Sequence, residues 1–173
     1  SSDLGGGFGP KAQLFPEEVL VAHAAQALAR PVKWVQDRAE HLAASFHARD
    51  AVVEAQLATD ATGRIRGIKA RSYCDAGAYS AFPFTCALEP QTIGAGLSGP
   101  YLVPHLEYDG VALATHSFPV GAYRGVGFPL CPLTMEALLD RVANAIGMDP
   151  GEVRRVNLIA PEALPKSNPV GVV

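Results

Sequence analysis

AVVEAQLATDATGRIRGIKARSYCD, residues 51–75, is the stretch that decides the fold. Two β-prone runs, Ala51–Thr59 and Arg64–Asp75, flank the polar turn Asp60-Ala61-Thr62-Gly63, whose glycine supplies the positive φ that a tight reversal needs. The reading is a hairpin. Beyond it, residues 76–104 are rich in proline and glycine and are expected to be irregular, with room for short helical turns. Leu106–Thr115 reads as another strand, and Leu133–Ile146 as a helix with Met135, Leu138, Leu139, Val142 and Ile146 on one side. Gly147 stops that helix, and Asp149-Pro150 opens a shorter one through Ile159.

Before the hairpin, Glu17–Arg30 has acids in its first turn and Pro31 at its end, which predicts a helix. Its alanines, Ala22, Ala24, Ala25, Ala27 and Ala29, would allow close approach to a sheet. Val32–Gln36 alternates like a short strand, and Asp37–Ala48 is expected to add a turn of helix. The sum is an α+β fold: short mixed or antiparallel sheets with helices packed on one face.

Composition narrows the function. A chain of 173 residues, 49% hydrophobic and 18% charged, is long and apolar enough to bury a core. Its net charge of -3, with Lys and Arg scattered, argues against a nucleic-acid partner. No apolar run has membrane-span length, and the N-terminus lacks the pattern of a signal peptide, so the expectation is a cytoplasmic protein with no membrane partner. Cys74, Cys86 and Cys131 are odd in number and lack the close pairs of a zinc or redox motif, so buried free thiols in a reducing compartment are expected.

Two glycine-bearing segments, GGGFGPK (Gly5–Lys11) and GAYRGVG (Gly121–Gly127), suggest chemistry. Glycines permit positive φ and leave peptide N–H groups bare, which is how backbone nests hold oxyanions. The first is neither a P-loop, because Ala12 stands where a magnesium-binding hydroxyl would be, nor a dinucleotide fingerprint, because Pro10 intrudes. A plain turn before a helix remains an alternative for it. In the second, glycines near Arg124 expose a guanidinium fork suited to phosphate or carboxylate. A structural ion pair is the alternative there. His23, His41, His47, His105 and His116 form no metal-ligand spacing, and no metal site is assigned.

Five blocks carry a resemblance. The run from Gly5 to Leu42, DAGAYS (Asp75–Ser80), GPYLVPHLEY (Gly99–Tyr108), PVGAYRGVG (Pro119–Gly127) and MEALLDRVANAIGMDPGEVRRVNLI (Met135–Ile159) are similar to the molybdenum-binding large subunit of the xanthine dehydrogenase, aldehyde oxidase and aerobic carbon monoxide dehydrogenase family. The likeness covers nearly the whole chain. Because family chains are several times longer, it implies an internal segment: residues 1–160 as part of a molybdopterin cofactor-binding domain, 161–173 as a linker or cut tail.

The resemblance implies that Gly6, Gly7, Phe8 and Gly9 lie over the cofactor, with Phe8 shielding the metal, and that Arg124 and Gly125 approach from the other side. The implied cofactor is molybdenum-molybdopterin in its cytosine dinucleotide form. The 2Fe-2S clusters and FAD would sit in partner subunits or domains, beside the remainder of the large subunit. The implied reaction is hydroxylation of an aldehyde or N-heteroaromatic small molecule, with oxygen from water.

Departures sharpen this. Gly125 stands where carbon monoxide dehydrogenases carry a copper-binding cysteine. Ala12 and Val126, assigned to the substrate pocket, replace the glutamate and stacking phenylalanine of purine-oxidising members. Phe128-Pro129-Leu130 replaces polar neighbours, which keeps a non-catalytic scaffold as the alternative function. The family's catalytic carboxylate lies in a later segment, so Glu17, Glu40, Glu89 and Glu136 are not assigned to catalysis, and the chain alone is expected to be inactive.

Overall fold

The computed structural model describes residues 6–80, 82–167 and 169, so Gly5 and the last four residues of the tail lie outside the described residues. The sheet has three strands in the order β1-β2-β3: β1 (Ala51–Thr59), β2 (Ile65–Gly77) and β3 (Leu106–Ala114). β1 pairs with β2 antiparallel, Ala55 opposite Ala70, and β3 pairs with β2 parallel, Ala70 opposite Tyr108. The sheet is therefore mixed. The hairpin forms as read. The Asp60 carboxylate accepts from the Thr62 hydroxyl at 2.6 Å and from the Thr62 and Arg64 N–H groups at 2.9 and 3.2 Å, while Gly63 takes φ +80°.

Strand alternation divides the sheet's faces. Ile68, Ala70, Ser72, Cys74 and Ala76 are buried on one side of β2. Lys69 and Arg71 point to the other, where they pair across the ladder with Glu107 and Asp109. Helices cover the apolar face: α3 (Leu88–Gly96) packs on β2 and β3, and α4 (Leu130–Ile146) packs on β1 and on α5 (Pro150–Asn157). Met135, Leu139, Val142 and Ala143 of α4 meet Ile65, Ile68, Leu97, Val103 and Val153 in one core. Ile146, expected on the buried stripe, is 36% exposed at the helix end.

One polar residue ties this core together. Asn157, 3% exposed, accepts from the Ile65 N–H and donates to the Gly63 and Val153 carbonyls, each at 2.8 Å. It thereby fixes the end of α5 against the hairpin.

Three expectations need correction. Residues 31–37 form no strand, and Trp34 and Val35 are exposed: alternation supplies a period, but a strand also needs a partner edge. Residues 76–104 contain a full helix, α3. Its Pro90 lies in the first turn, where a missing N–H costs nothing, and its Gly94 and Gly96 serve packing, since a Cβ would lie 2.5 Å from the Tyr108 ring and 2.6 Å from the Phe128 ring respectively. Finally, α1 (Pro16–Leu28) buries no residue, and its alanines meet no sheet within the described residues. Its ends are nevertheless well capped, with the Glu18 carboxylate accepting from the Phe15 N–H at 2.9 Å and Ala29 left-handed at φ +49°. The short α2 (Arg38–Ala44) begins with a reciprocal Asp37–Glu40 capping box.

Leu139→Ala should cost about 2–5 kcal/mol in urea unfolding, the range for emptying a core leucine site. Asn157→Ala should cost about 1–3 kcal/mol for each stranded backbone group. The Asp60 carboxyl is pulled from an ordinary 3.8 to about 2, first by the Thr62 hydroxyl and further by the Thr62, Arg64 and Arg66 donors. A depressed pKa gives stability that is complete above the unfolded value and lost as pH falls through the folded one. The stability gap between wild type and Asp60→Asn should therefore be flat near neutrality and close between about pH 4 and pH 2.

Candidate cofactor cradle

Sheet topology brings the two glycine segments to one end of the molecule. β2 and β3 run parallel and leave the sheet together, and β1, being antiparallel, starts there: Ala51 faces Cys74. Segment 115–121 turns back over this end. Thr115 N–H donates to the Gly77 carbonyl at 3.1 Å, Val120 N–H to that of Ala76 at 3.3 Å, and Gly121 N–H to that of His47 at 2.9 Å. The Asp75 carboxylate fastens the turn by accepting from the Ser117 and Thr115 hydroxyls and from the Gly77 N–H, which hold its carboxyl below the usual range. Gly77, at φ +70°, has no room for a side chain, since a Cβ would lie 2.3 Å from the Phe118 carbonyl oxygen.

From this platform the two loops meet. The Arg124 N–H donates to the Phe8 carbonyl at 2.7 Å. Gly9, at φ +105°, lies so close to the second loop that a Cβ would stand 2.5 Å from the Ala122 oxygen. Deeper down, a Cβ on Gly121 would stand 2.5 Å from Gln13 Nε2 and 2.9 Å from Phe46 Cβ. Gln13 is 3% exposed, and neither amide atom has a partner among the described residues. The Phe8 ring folds back over Gly6, whose Cβ would lie 2.5 Å from it, yet stays 56% exposed. The Arg124 side chain is exposed and makes no hydrogen bond or ion pair among the described residues.

The second loop is held from behind by residues that sequence reasoning passed over. Arg49, just before β1, donates from Nε to the Val126 carbonyl at 3.1 Å and from Nη2 to the carbonyls of Tyr123, at 3.3 Å, and Arg124. Its guanidinium lies 4.9 Å from the Tyr123 ring centre. From α3, the Thr92 hydroxyl accepts the Gly127 N–H at 2.9 Å. Glu89, set aside above as a catalytic group, is 5% exposed with Oε1 unpartnered among the described residues. Burial pushes its carboxyl up, opposed by the charge and N–H of Arg49.

Gly6, Gly7, Phe8, Gly9, Arg124 and Gly125 thus lie in two touching loops. Val126, at φ +48°, lines a small cavity of about 10 Å³ with Ala122, Glu89, Cys86 and Leu88. Ala12 is exposed at the end of a 3-10 turn and does not line that cavity, so the two residues assigned to the substrate pocket are not brought together in it. Cys131 is walled into the α3–α4 contact, donating to the Ile93 carbonyl, and burial pushes its thiol up to about 11. Glu136 accepts from Tyr101 and Arg154, each at 2.7 Å, and so has a structural role. Among the described residues no cluster of His, Cys, Asp and Glu could hold a metal ion.

An α+β scaffold that presses two glycine loops together, beside an arginine with no partner among the described residues, is a candidate cradle for an anionic cofactor. Comparison with known proteins specifies which: residues 1–158 match the molybdopterin cofactor-binding domain, and the chain belongs to that family. It is 42% identical, over its whole length, to the nicotine 6-hydroxylase large subunit of Paenarthrobacter nicotinovorans, of which it spans 21%. It is 33% identical to the carbon monoxide dehydrogenase large chain of Hydrogenophaga pseudoflava, covering 99% of this chain and 21% of that one. Among solved structures, quinoline 2-oxidoreductase from Pseudomonas putida 86 superposes with a TM-score of 0.89 at 43% identity, covering 98% of this chain and 22% of that one. The chain therefore spans about a fifth of the length of these relatives.

The glycine contacts give a graded test. Gly147→Ala, where φ is +68° but nothing lies within 4 Å, should cost only the backbone term of about 1–2 kcal/mol. Gly9→Ala adds a clash with Ala122 and should cost about 2–3 kcal/mol or more in thermal unfolding.

Proposed function

We propose that this chain contributes the two cofactor walls of a molybdenum hydroxylase acting on an N-heteroaromatic substrate. The observation that carries the reading is the contact of Phe8–Gly9 with Ala122–Arg124, in a loop whose Arg124 guanidinium has no partner among the described residues. A pterin dithiolene and a pyrophosphate are anionic, and preorganised N–H donors with one permanent positive charge fit them. Arg124 would meet that charge, Gly7 and Gly9 would let the backbone approach, and the exposed Phe8 ring would shield the cofactor from water. When bound, the cofactor supplies two-electron oxidation with water as the oxygen source. We take it to be the cytosine dinucleotide form.

Several observations favour the N-heteroaromatic branch. Identities of 42% and 43% are to proteins named for nicotine and quinoline. Gly125 supplies no copper-binding thiol, and its φ of +91° suits glycine. Ala12 supplies no carboxylate for a purine. Phe128, which with Leu130 and the chain's length motivates the scaffold reading, has a packing role on Gly96 of α3. We assign residues 1–160 to the cofactor-binding unit and 161–173 to a connecting segment, in a cytoplasmic enzyme whose remaining large-subunit sequence and iron–sulfur and flavin partners complete it. The chain alone would not turn over.

The test uses the full-length polypeptide with its partners, purified from molybdate-fed cells. Molybdenum and a pterin cytosine dinucleotide should co-purify, and quinoline or nicotine oxidised in ¹⁸O-water should carry the label. Protein free of metal and pterin would sink the reading; loaded protein that oxidises only aldehydes would sink its substrate half. Arg124→Ala should lower cofactor content severalfold, whereas Arg124→Lys, which keeps the charge but loses the fork, should retain more of it.

A further inference from the structure

The second cofactor loop contains a charge arrangement that local sequence does not explain. Three of its carbonyls, those of Tyr123, Arg124 and Val126, converge on the single guanidinium of Arg49. A carbonyl oxygen is partly negative, so three of them turned toward an anion would oppose its binding. Gathered onto Arg49, they are occupied by a cation instead, and the guanidinium adds a second positive charge to the loop. Only a planar fork can serve acceptors on both sides of Gly125 at once, which a lysine ammonium cannot reproduce.

Arg49 is itself constrained. Its φ is +68°, a left-handed conformation rare in non-glycine residues. On its far side the Asp50 carbonyl accepts from the Asp75 N–H at 2.8 Å, which ties this turn to β2. Its own N–H and charge face the buried Glu89 carboxylate. The same turn of α3 supports the far end of the loop, through Thr92 to the Gly127 N–H and through a backbone approach at which a Gly127 Cβ would lie 2.4 Å from the Glu89 carbonyl oxygen.

We propose that Arg49 is a positioning residue for the cofactor wall: by collecting the carbonyls of 123, 124 and 126 it holds the loop with Arg124 and Val126 presented to cofactor and substrate. This rests on the reading of the loops as a molybdopterin cradle. Arg49 acts through the loop and touches neither cofactor nor substrate.

The experiment compares full-length wild type with Arg49→Lys, using Arg71→Lys as a control: Arg71 also stacks near a tyrosine and pairs with Asp109, but on the open face of the sheet. Hydrogen exchange reads the amides of 123–127 against those of β2, and the Mo(V) resonance of reduced protein reports the metal's surroundings. In Arg49→Lys, loop exchange should rise about tenfold or more while β2 protection holds. The Mo(V) signal should shift, and kcat should fall more than KM rises. Arg71→Lys should match wild type on every measure. Unchanged loop exchange in Arg49→Lys would overturn the proposal, as would a rise that includes β2, since either removes a specific role for the fork. A loosened loop with an unaltered Mo(V) signal would overturn the link to the cofactor. Absence of molybdenum and pterin from wild type is a separate failure: it removes the cradle reading, and the exchange data still decide whether Arg49 holds the loop.

Discussion

The double pairing of β2 is the constraint from which the rest of the structure follows. Antiparallel to β1 on one side and parallel to β3 on the other, it collects the start of β1 and the ends of β2 and β3 at one edge of the sheet. A parallel neighbour cannot be reached by a tight turn. The connection from β2 to β3 must return to the far end of the sheet, and it carries α3 across the apolar face. That crossing puts Glu89 and Thr92 against the second loop, and Arg49, immediately before β1, reaches both the loop and Glu89 from the start of the sheet. Sheet topology thus sets the loop's supports before any ligand is considered.

The two loops then depend on glycine for distance more than for flexibility. At Gly9 and Gly127 a Cβ would stand 2.5 and 2.4 Å from a backbone carbonyl oxygen of a neighbouring segment. Backbone laid against backbone leaves little room for adjustment, so the spacing of the loops is fixed by van der Waals contact. Loop carbonyls face Arg49, and the Arg124 side chain remains without a partner among the described residues. On the proposed reading, an anion would meet the Arg124 charge on a loop already held in place, with little reorganisation to oppose its binding.

How much of this was legible in the sequence depended on how local the cause was. The hairpin was readable because Asp60 and Gly63 settle the turn within four residues, and α4 because its apolar period is long. The breakers in α3 misled, because Gly94 and Gly96 answer to Tyr108 and Phe128, which no local rule can see. The run 32–36 has a strand's alternation without a strand's partner. The alanines of α1 permit close packing but do not say against what, and Val19, Leu20 and Leu28 remain exposed. Both glycine loops stood out in the sequence. Arg49 did not, since its role exists only through a contact with a residue 77 positions away.

Backbone strain gives an independent view of the same site. Among the described residues four non-glycine residues have positive φ: Phe8, Ala29, Arg49 and Val126. Ala29 has a local reason, closing α1 through N–H groups that reach the Ala25 and Gln26 carbonyls. The other three are also braced from outside their own segments. Each sits at the junction of the loops or behind it, and Val126 is β-branched, for which this conformation is a true outlier. Such strain persists only where surroundings over-determine it, at roughly 1–3 kcal/mol per residue. Here the surroundings are identifiable: the Phe8 carbonyl is held by Arg124, the Val126 carbonyl by Arg49, and the Arg49 turn by β2 and α3. The strained residues therefore form one mutually braced unit, and a chain selected only for stability would relax it first.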